Sequence, residues 1–331
     1  MSKGINKKSS LKSKAIKANA KDLSVYIDLL TDFGFKRVFG IKEVMLKFLN
    51  AVLNIEGGIA DLSYVDTEVL GLTKEDRKAV YDLICVTGNG EHIIVEMQSI
   101  RQEYFKDRTR LYLAMLIHQQ AMKGRAKDRK NWDFKQPPVY IISFANFYMD
   151  KEEEEAAKEK AKAKKNSVTD ENETHIDENY ISFIKYMNVD TKKIFIENET
   201  LVYIELPKFS KKLDEVKTFI EQWIYLVKNI HRLKKLPKSF TDEIFETVFE
   251  IAKIAQMDKK DVYKYVKSLN DKNMVRNEIN RMKNTIAQQK GTIAQQKGTI
   301  TQQSSTITQQ SNTIAVKDKE IAEYRRMLGL N

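Results

Sequence analysis

The apolar positions of this chain change period along its length, and each change marks an element. Leu30-Thr31-Asp32-Phe33-Gly34-Phe35-Lys36-Arg37-Val38-Phe39-Gly40 opens a helical region, with Thr31 or Asp32 placed as its N-cap. Between Glu43 and Leu53, the positions Val44, Leu46, Phe48, Leu49, Val52 and Leu53 predict one buried helical face, and residues 54–58 end it. LSYVDTEVL at 62–70 reads as a strand, and VYDLICVTGNGEHIIVEMQ at 80–98 as two strands joined by a short loop. Tyr104 to Lys123 predicts an amphipathic helix carrying Leu111, Leu113, Met115, Leu116 and Ile117, closed by Gly124. VYIISFANF after Pro137 and Pro138, and LVYIELPKF at 201–209, predict two more strands. This order predicts an α/β or α+β domain with a mixed sheet flanked by helices.

Two segments break the pattern. Between the last two strands, about 151–178, EEEEAAKEKAKAKK has no apolar face and reads as a solvated helix or a disordered loop. Residues 211–275 return to helical spacing, with Val216, Phe219, Ile220, Trp223, Ile224 and Val227, then Ile244, Phe245, Val248, Phe249 and Ile251. They predict a small helical subdomain. Beyond it, TIAQQKG at 285–291 repeats and decays, keeping Ile286, Ile293, Ile300, Ile307, Ile314 and Ile321 seven apart. A strict seven-residue period predicts a left-handed coiled coil. With Ile at position a, position d holds Gln289, Gln296, Gln303 and Gln310, and Gly291 and Gly298 each cost about 1 kcal/mol of helix stability. The tail is either a marginal oligomerising helix or a frayed extension lengthened by duplication.

Composition narrows the classes. A formal charge of +11 over 331 residues points to a polyanionic partner, most simply nucleic acid. Seven of the lysines lie in residues 1–21 without an acid, so residues 1–24 read as a basic, disordered arm. No apolar run follows the arm, so neither a secretory signal nor a membrane span is expected. The single cysteine, Cys85, lies in an apolar strand and suits a reducing cytoplasm. The four histidines lack zinc spacing, and there is no phosphate-binding glycine loop, dinucleotide fingerprint or serine elbow.

The 80–98 hairpin carries the chemistry. Gly88, Asn89 and Gly90 form a three-residue loop, with Gly90 available for the left-handed position. Thr87 then pairs with Glu91, and counting back puts Asp82 opposite Glu96, with cross-strand Cβ atoms about 5 Å apart. Alternation puts Gln98 on the face of Glu96, and Val95 and Met97 on the other. Facing carboxylates in apolar strands repel unless a cation lies between them. Mg²⁺, which takes one or two carboxylates, a backbone carbonyl and several waters, fits that need. The plain alternative is a strand end where both acids stay hydrated.

LTDFGFKRVFG, FLNAVL, YDLICV followed by IIVEMQ, FKDRTRLY, PPVYIISFANF and YIELPKF, in this order over residues 26–275, resemble the PD-(D/E)xK nuclease family transposases, or recombination-promoting nucleases. The resemblance implies a restriction-endonuclease-like domain over about 25–210, followed by the helical region to 275 and the tail from 276. It implies Asp82 and Glu96 as the acids that hold a divalent metal, with Gln98 in place of the family's lysine. The Met97 carbonyl would be a further ligand and Asp32 a further acid, although a helix N-cap would need the same residue. Lys36 would supply charge stabilisation or a phosphate contact, and Arg108, which matches the family's helix-borne arginine, a nucleic-acid contact, a salt bridge or a structural hydrogen bond being its alternative.

The function expected is a Mg²⁺-dependent, cytoplasmic DNA endonuclease that promotes recombination or transposition. The alternatives are a non-catalytic oligomeric DNA-binding protein, and a nuclease acting as toxin or anti-phage effector.

Overall fold

A computed structural model describes residues 24–65, 68–69, 79–80, 82–127, 133–166 and 179–329. The basic arm up to residue 23 and the second half of the polar insertion lie outside them. The strands are β1 (Leu62–Tyr64), β2 (Glu68–Val69), β3 (Ala79–Val80), β4 (Leu83–Thr87), β5 (His92–Gln98), β6 (Val139–Ala145), β7 (Ile181–Met187) and β8 (Ile194–Glu205). Six of them form one sheet in the order β1-β4-β5-β6-β8-β7, while β2 and β3 pair separately. β5, β6 and β8 run parallel, and β1, β4 and β7 are antiparallel to their neighbours. The three parallel strands are apolar on both faces, as burial under helices on two sides requires.

One face is covered by α1 (Asp32–Phe39) and α2 (Lys42–Val52), and the other by α3 (Phe105–Lys127). Phe35, Val38, Phe39, Met45, Phe48 and Leu49 pack on Cys85, Ile93, Val95, Ile142, Phe144 and Val202. After α4 (Lys151–Asn166), the helices α5 (Phe219–Asn229) and α6 (Glu243–Ala252) join this same core, because Trp223 lies 5.9 Å from the Phe39 and Phe48 rings and 5.1 Å from Phe245. The region read as a helical subdomain therefore shares its apolar interior with the sheet. On the opposite face Phe105, Tyr112, Leu113 and Leu116 meet Ile84, Ile94, Val139, Ile141 and Tyr203.

The mixed sheet matches the expectation, with local corrections. The single strand expected at 62–70 is two, β1 in the main sheet and β2 in the ribbon. Gly124 does not end α3, which runs through it to Lys127; one interior glycine costs about 1 kcal/mol, within what packing elsewhere on a long helix tolerates. Leu111 is 57% exposed, since the buried stripe of α3 follows 105, 109, 112, 113 and 116. In α2 the buried set is Val44, Met45, Phe48, Leu49 and Val52, so Met45 takes the place given to Leu46, which is two residues from Val44 and off the stripe. β7 and the first half of β8 were missed because they are mostly exposed, with Phe183 and Phe195 in solvent, and carry no buried period.

Among the described residues, those up to Lys272 form one compact unit, and those from Asn273 a second. The last helix, α7 (Lys259–Met327), starts in the first unit, burying Tyr265 and Val266, and supplies the second. There every repeat threonine bonds its own helix four residues back, as Thr292 Oγ1 to the Gln288 carbonyl at 3.2 Å. Six isoleucines from Ile286 to Ile321 stand 51–63% exposed in the single chain. Among the described residues no helix is long and apolar enough to cross a membrane.

Candidate active site

The hairpin turn has the geometry its residues demand. Gly90 adopts φ +92°, the Gly90 N–H donates to the Thr87 carbonyl and the Thr87 N–H to the Glu91 carbonyl, both at 3.0 Å. The ladder runs from Val86 opposite His92 to Leu83 opposite Val95, which makes Asp82 and Glu96 the next register positions. Asp82 lies one residue beyond the paired strand, so alternation no longer dictates its side chain. Its Oδ2 accepts from the Met97 N–H at 2.8 Å and its Oδ1 lies 3.6 Å from Lys36 Nζ, which also pairs with Asp32 at 2.6 Å. Burial pushes the Asp82 carboxyl above its ordinary range, against the opposing pull of the Met97 N–H and Lys36. Burial lowers the Lys36 pKa, but Asp32 and Asp82 outweigh it and leave the ammonium above its usual value.

Glu96 is 2% exposed on the α3 side of the sheet. Its Oε1 pairs with Arg108 Nη2, while Oε2 is buried without a hydrogen-bond partner. Arg108 is held in turn by Gln98 Oε1 at 3.2 Å, Gln102 Oε1 at 2.6 Å and the Tyr112 hydroxyl at 2.7 Å, with its guanidinium 5.1 Å from the Tyr112 ring centroid. Gln98 Nε2 donates to the Ile100 carbonyl at 2.9 Å. Arg108 thus makes the salt bridge that was its structural alternative, and it orients two of the three hairpin residues at once.

The segment before α1 is tied to the same place. Thr31, not Asp32, caps α1: its hydroxyl accepts from the Gly34 N–H at 3.1 Å and donates to the Asp28 carbonyl at 2.6 Å. A Cβ on Gly34 would collide with that Asp28 carbonyl, which explains the glycine in LTDFGF. Asp32 is released from capping and stands 64% exposed beside Lys36. Ser99 Oγ donates to the Leu30 carbonyl and joins the end of β5 to this turn.

Two contact groups result. Asp82, Lys36 and Asp32 form one, on the α1 side, and Glu96, Arg108 and Gln98 the other, on the α3 side. The expected shared face of Asp82, Glu96 and Gln98 is therefore not formed, because Asp82 has left the ladder that would have imposed alternation; the Met97 backbone, between Glu96 and Gln98, links the two groups. Among the described residues no group of three or more His, Cys, Asp or Glu side chains converges as a ready metal cage. The donor set still suits a hard divalent cation, since Mg²⁺ uses one or two carboxylates with waters, and the orphaned Glu96 Oε2 is a buried oxygen in want of a positive partner.

Sequence reasoning missed the continuation of this face across the sheet. Glu96 is in register with Ser143 and Ser143 with Tyr203; Gln98 is in register with Ala145 and Ala145 with Glu205. Ser143 Oγ is buried and unpartnered, and Tyr203 OH meets Thr109 Oγ1 of α3 at 2.6 Å. Glu205 is 3% exposed, accepts from the Met149 N–H at 2.7 Å and pairs with Lys208 at 2.9 Å. An acid inside the apolar YIELPKF is the same kind of signal as the one in IIVEMQ.

No curated protein and no solved structure matches the chain. The family model for PD-(D/E)XK nuclease family transposases matches residues 29–176 and 166–281, which includes α1, the acidic hairpin, α3 and the helices that complete the core. The chain belongs to the PD-(D/E)XK nuclease family transposases.

Proposed function

We propose that the chain is a divalent-metal-dependent endodeoxyribonuclease whose breaks promote DNA recombination or transposition. PD-(D/E)XK nucleases generally use divalent metal ions, and DNA is the partner that such a family suggests. The observation that carries the reading is Glu96: a carboxylate sunk in an apolar strand one position beyond the Leu83–Val95 pair that ends the hairpin ladder, with one oxygen on Arg108 and the other unpaired. An unpaired buried oxygen of this kind costs folding free energy and so calls for a functional reason.

Asp82, Glu96 and the Met97 carbonyl would hold the cation, with Asp32 as a further acid. A divalent cation bound there would acidify a water and offset charge on the phosphate oxygens. The chain's own residues do the rest. Arg108 offsets the cost of burying the Glu96 charge and fixes that carboxylate in place. Gln98, held by Arg108 at its carbonyl and by Ile100 at its amide, positions the attacking water through its second N–H. A neutral amide cannot take the proton, which leaves to solvent, to a substrate phosphate or to a nearby acid. Lys36, protonated between two carboxylates, supplies positive charge on the Asp82 side. The isoleucine stripe of α7 is the seam through which a second copy would pair.

Nicking of supercoiled plasmid at low salt tests the reading. Cleavage with Mg²⁺, none with EDTA, and loss in both Asp82→Asn and Glu96→Gln is the expected result. Plasmid bound but intact with every divalent metal, by a folded protein, would reject catalysis in favour of a non-catalytic DNA-binding oligomer.

A further inference from the structure

The polar helix α4 is held to the first unit in an unusual way. A helix that docks on a protein body normally presents an apolar stripe at i, i+3, i+4 and i+7. Here that stripe begins at Asp150, the residue before the helix, and runs through Glu153, Glu154 and Ala157. Glu153 and Glu154 are half-buried while their neighbours Glu152 and Glu155 are exposed, so the acids of the run are not equivalent. Each acid of the stripe meets a cation of the body: Asp150 pairs with Lys106 at 2.6 Å, Glu153 with Lys208 at 2.8 Å, and Glu154 with Arg101 at 2.6 Å.

Those cations share one location. Arg101 follows Gln98 by three residues, Lys106 precedes Arg108 by two on α3, and Lys208 follows Glu205, which is in register through Ala145 with Gln98. All three stand at the end of the parallel strands where the Glu96–Arg108–Gln98 group lies. A carboxylate stripe on such a surface occupies the places that backbone phosphates would take. The Lys106–Asp150 pair is more than half exposed on both sides and contributes little, so it is the first to yield to a polyanion whose charges are fixed at close spacing, while the Arg101–Glu154 and Lys208–Glu153 pairs are more shielded.

We propose that Arg101, Lys106 and Lys208 form the phosphate-contacting flank of the candidate active site, and that the first turn of α4 covers them with Asp150, Glu153 and Glu154 until a nucleic-acid backbone displaces it. The inference rests on the nucleic-acid part of the function proposed above and not on cleavage. The cover restrains binding of any duplex without regard to sequence, because it competes for phosphate contacts and not for base edges.

The test is binding of the full chain to a fluorescein-labelled random-sequence duplex, followed by anisotropy in EDTA across a salt series. Removing the acids with Asp150→Asn, Glu153→Gln and Glu154→Gln together should tighten binding roughly tenfold and steepen the salt dependence by up to about 0.9 for each cation uncovered. Adding Arg101→Gln and Lys106→Gln to that variant should abolish most of the gain; Lys208 is left in place because it also pairs with buried Glu205. Equal affinity and slope for wild type and the folded triple variant would overturn the cover. A gain that survives loss of Arg101 and Lys106 would overturn it too, and so would an equal gain on neutralising the exposed Glu152, Glu155 and Glu159 of the same helix, which would report net charge alone. Because the assay contains no metal, a chain that binds as expected but never cuts plasmid loses the nuclease reading and keeps this one.

Discussion

Glu96 shows what single residues decide in this molecule. Its charge is tolerated in the sheet because Arg108 reaches it from α3, and the pair is worth most as a warning about either partner alone. Arg108→Ala should therefore destabilise the fold by about 3 kcal/mol in chemical denaturation, and Glu96→Gln in the same chain should return much of that loss. Independent, additive effects would show that the two side chains do not share a buried interaction. Gly34 is the second such residue. Gly34→Ala should cost about 2 kcal/mol, because the added methyl meets the Asp28 carbonyl in a turn that Thr31 already fixes; an unchanged melting curve would mean that the turn has slack. The register of the hairpin was legible because turn chemistry fixed it, but the contacts of its acids were not: Asp82 lies beyond the paired strand and turns to Lys36, while Glu96 meets Arg108. Arg108 was legible only through its place in FKDRTRLY, and its hold on Glu96 and Gln98 required the approach of the helix that begins at Phe105.

At the scale of elements, capping and period account for most of what forms. Thr218 and Glu221 make a capping box at the start of α5, and Glu221 also takes Lys211 at 2.5 Å and the Tyr180 hydroxyl at 2.9 Å. Burial alone would raise the Glu221 carboxyl, but Lys211, the Thr218 and Lys217 N–H groups and Tyr180 outweigh it and hold it at about 2. A carboxyl lowered in the folded state stabilises the fold above its unfolded value and loses that contribution as pH falls toward the folded one. Glu221→Gln should thus destabilise the protein by about 2 kcal/mol at neutral pH, and the difference from wild type should shrink as pH is lowered from about 4.5 toward 2. A difference that stays constant over that range would rule out the ionised cap. Elements with a buried stripe were legible, as in α2, α3, α5 and α6, even where one position was misassigned. β7 was not, since an edge strand with Phe183 and Ile184 exposed has no buried side to impose a period.

For the whole molecule, the open question is what covers the isoleucines of α7. If they form an intermolecular seam, the full chain should contain several subunits per particle by light scattering, and a chain ending at Asn277 should be monomeric while keeping the folded first unit. An equal subunit count for both would discard the coiled coil. The sequence by itself determined the class of the fold, the register of the hairpin from Val86 opposite His92 to Leu83 opposite Val95, and the heptad spacing of the tail, because each follows from local turn chemistry or from the period of side chains along one element. Only the tertiary structure decided that residues 211–275 complete the core under the sheet, that Thr31 relieves Asp32 of capping, that Arg108 orders Glu96 and Gln98, and that the acids of α4 lie on Arg101, Lys106 and Lys208. Each of these is a meeting of residues far apart in the chain or a choice between two equally suitable neighbours. Such outcomes are set by how layers pack and where their charges fall, for which no local period exists.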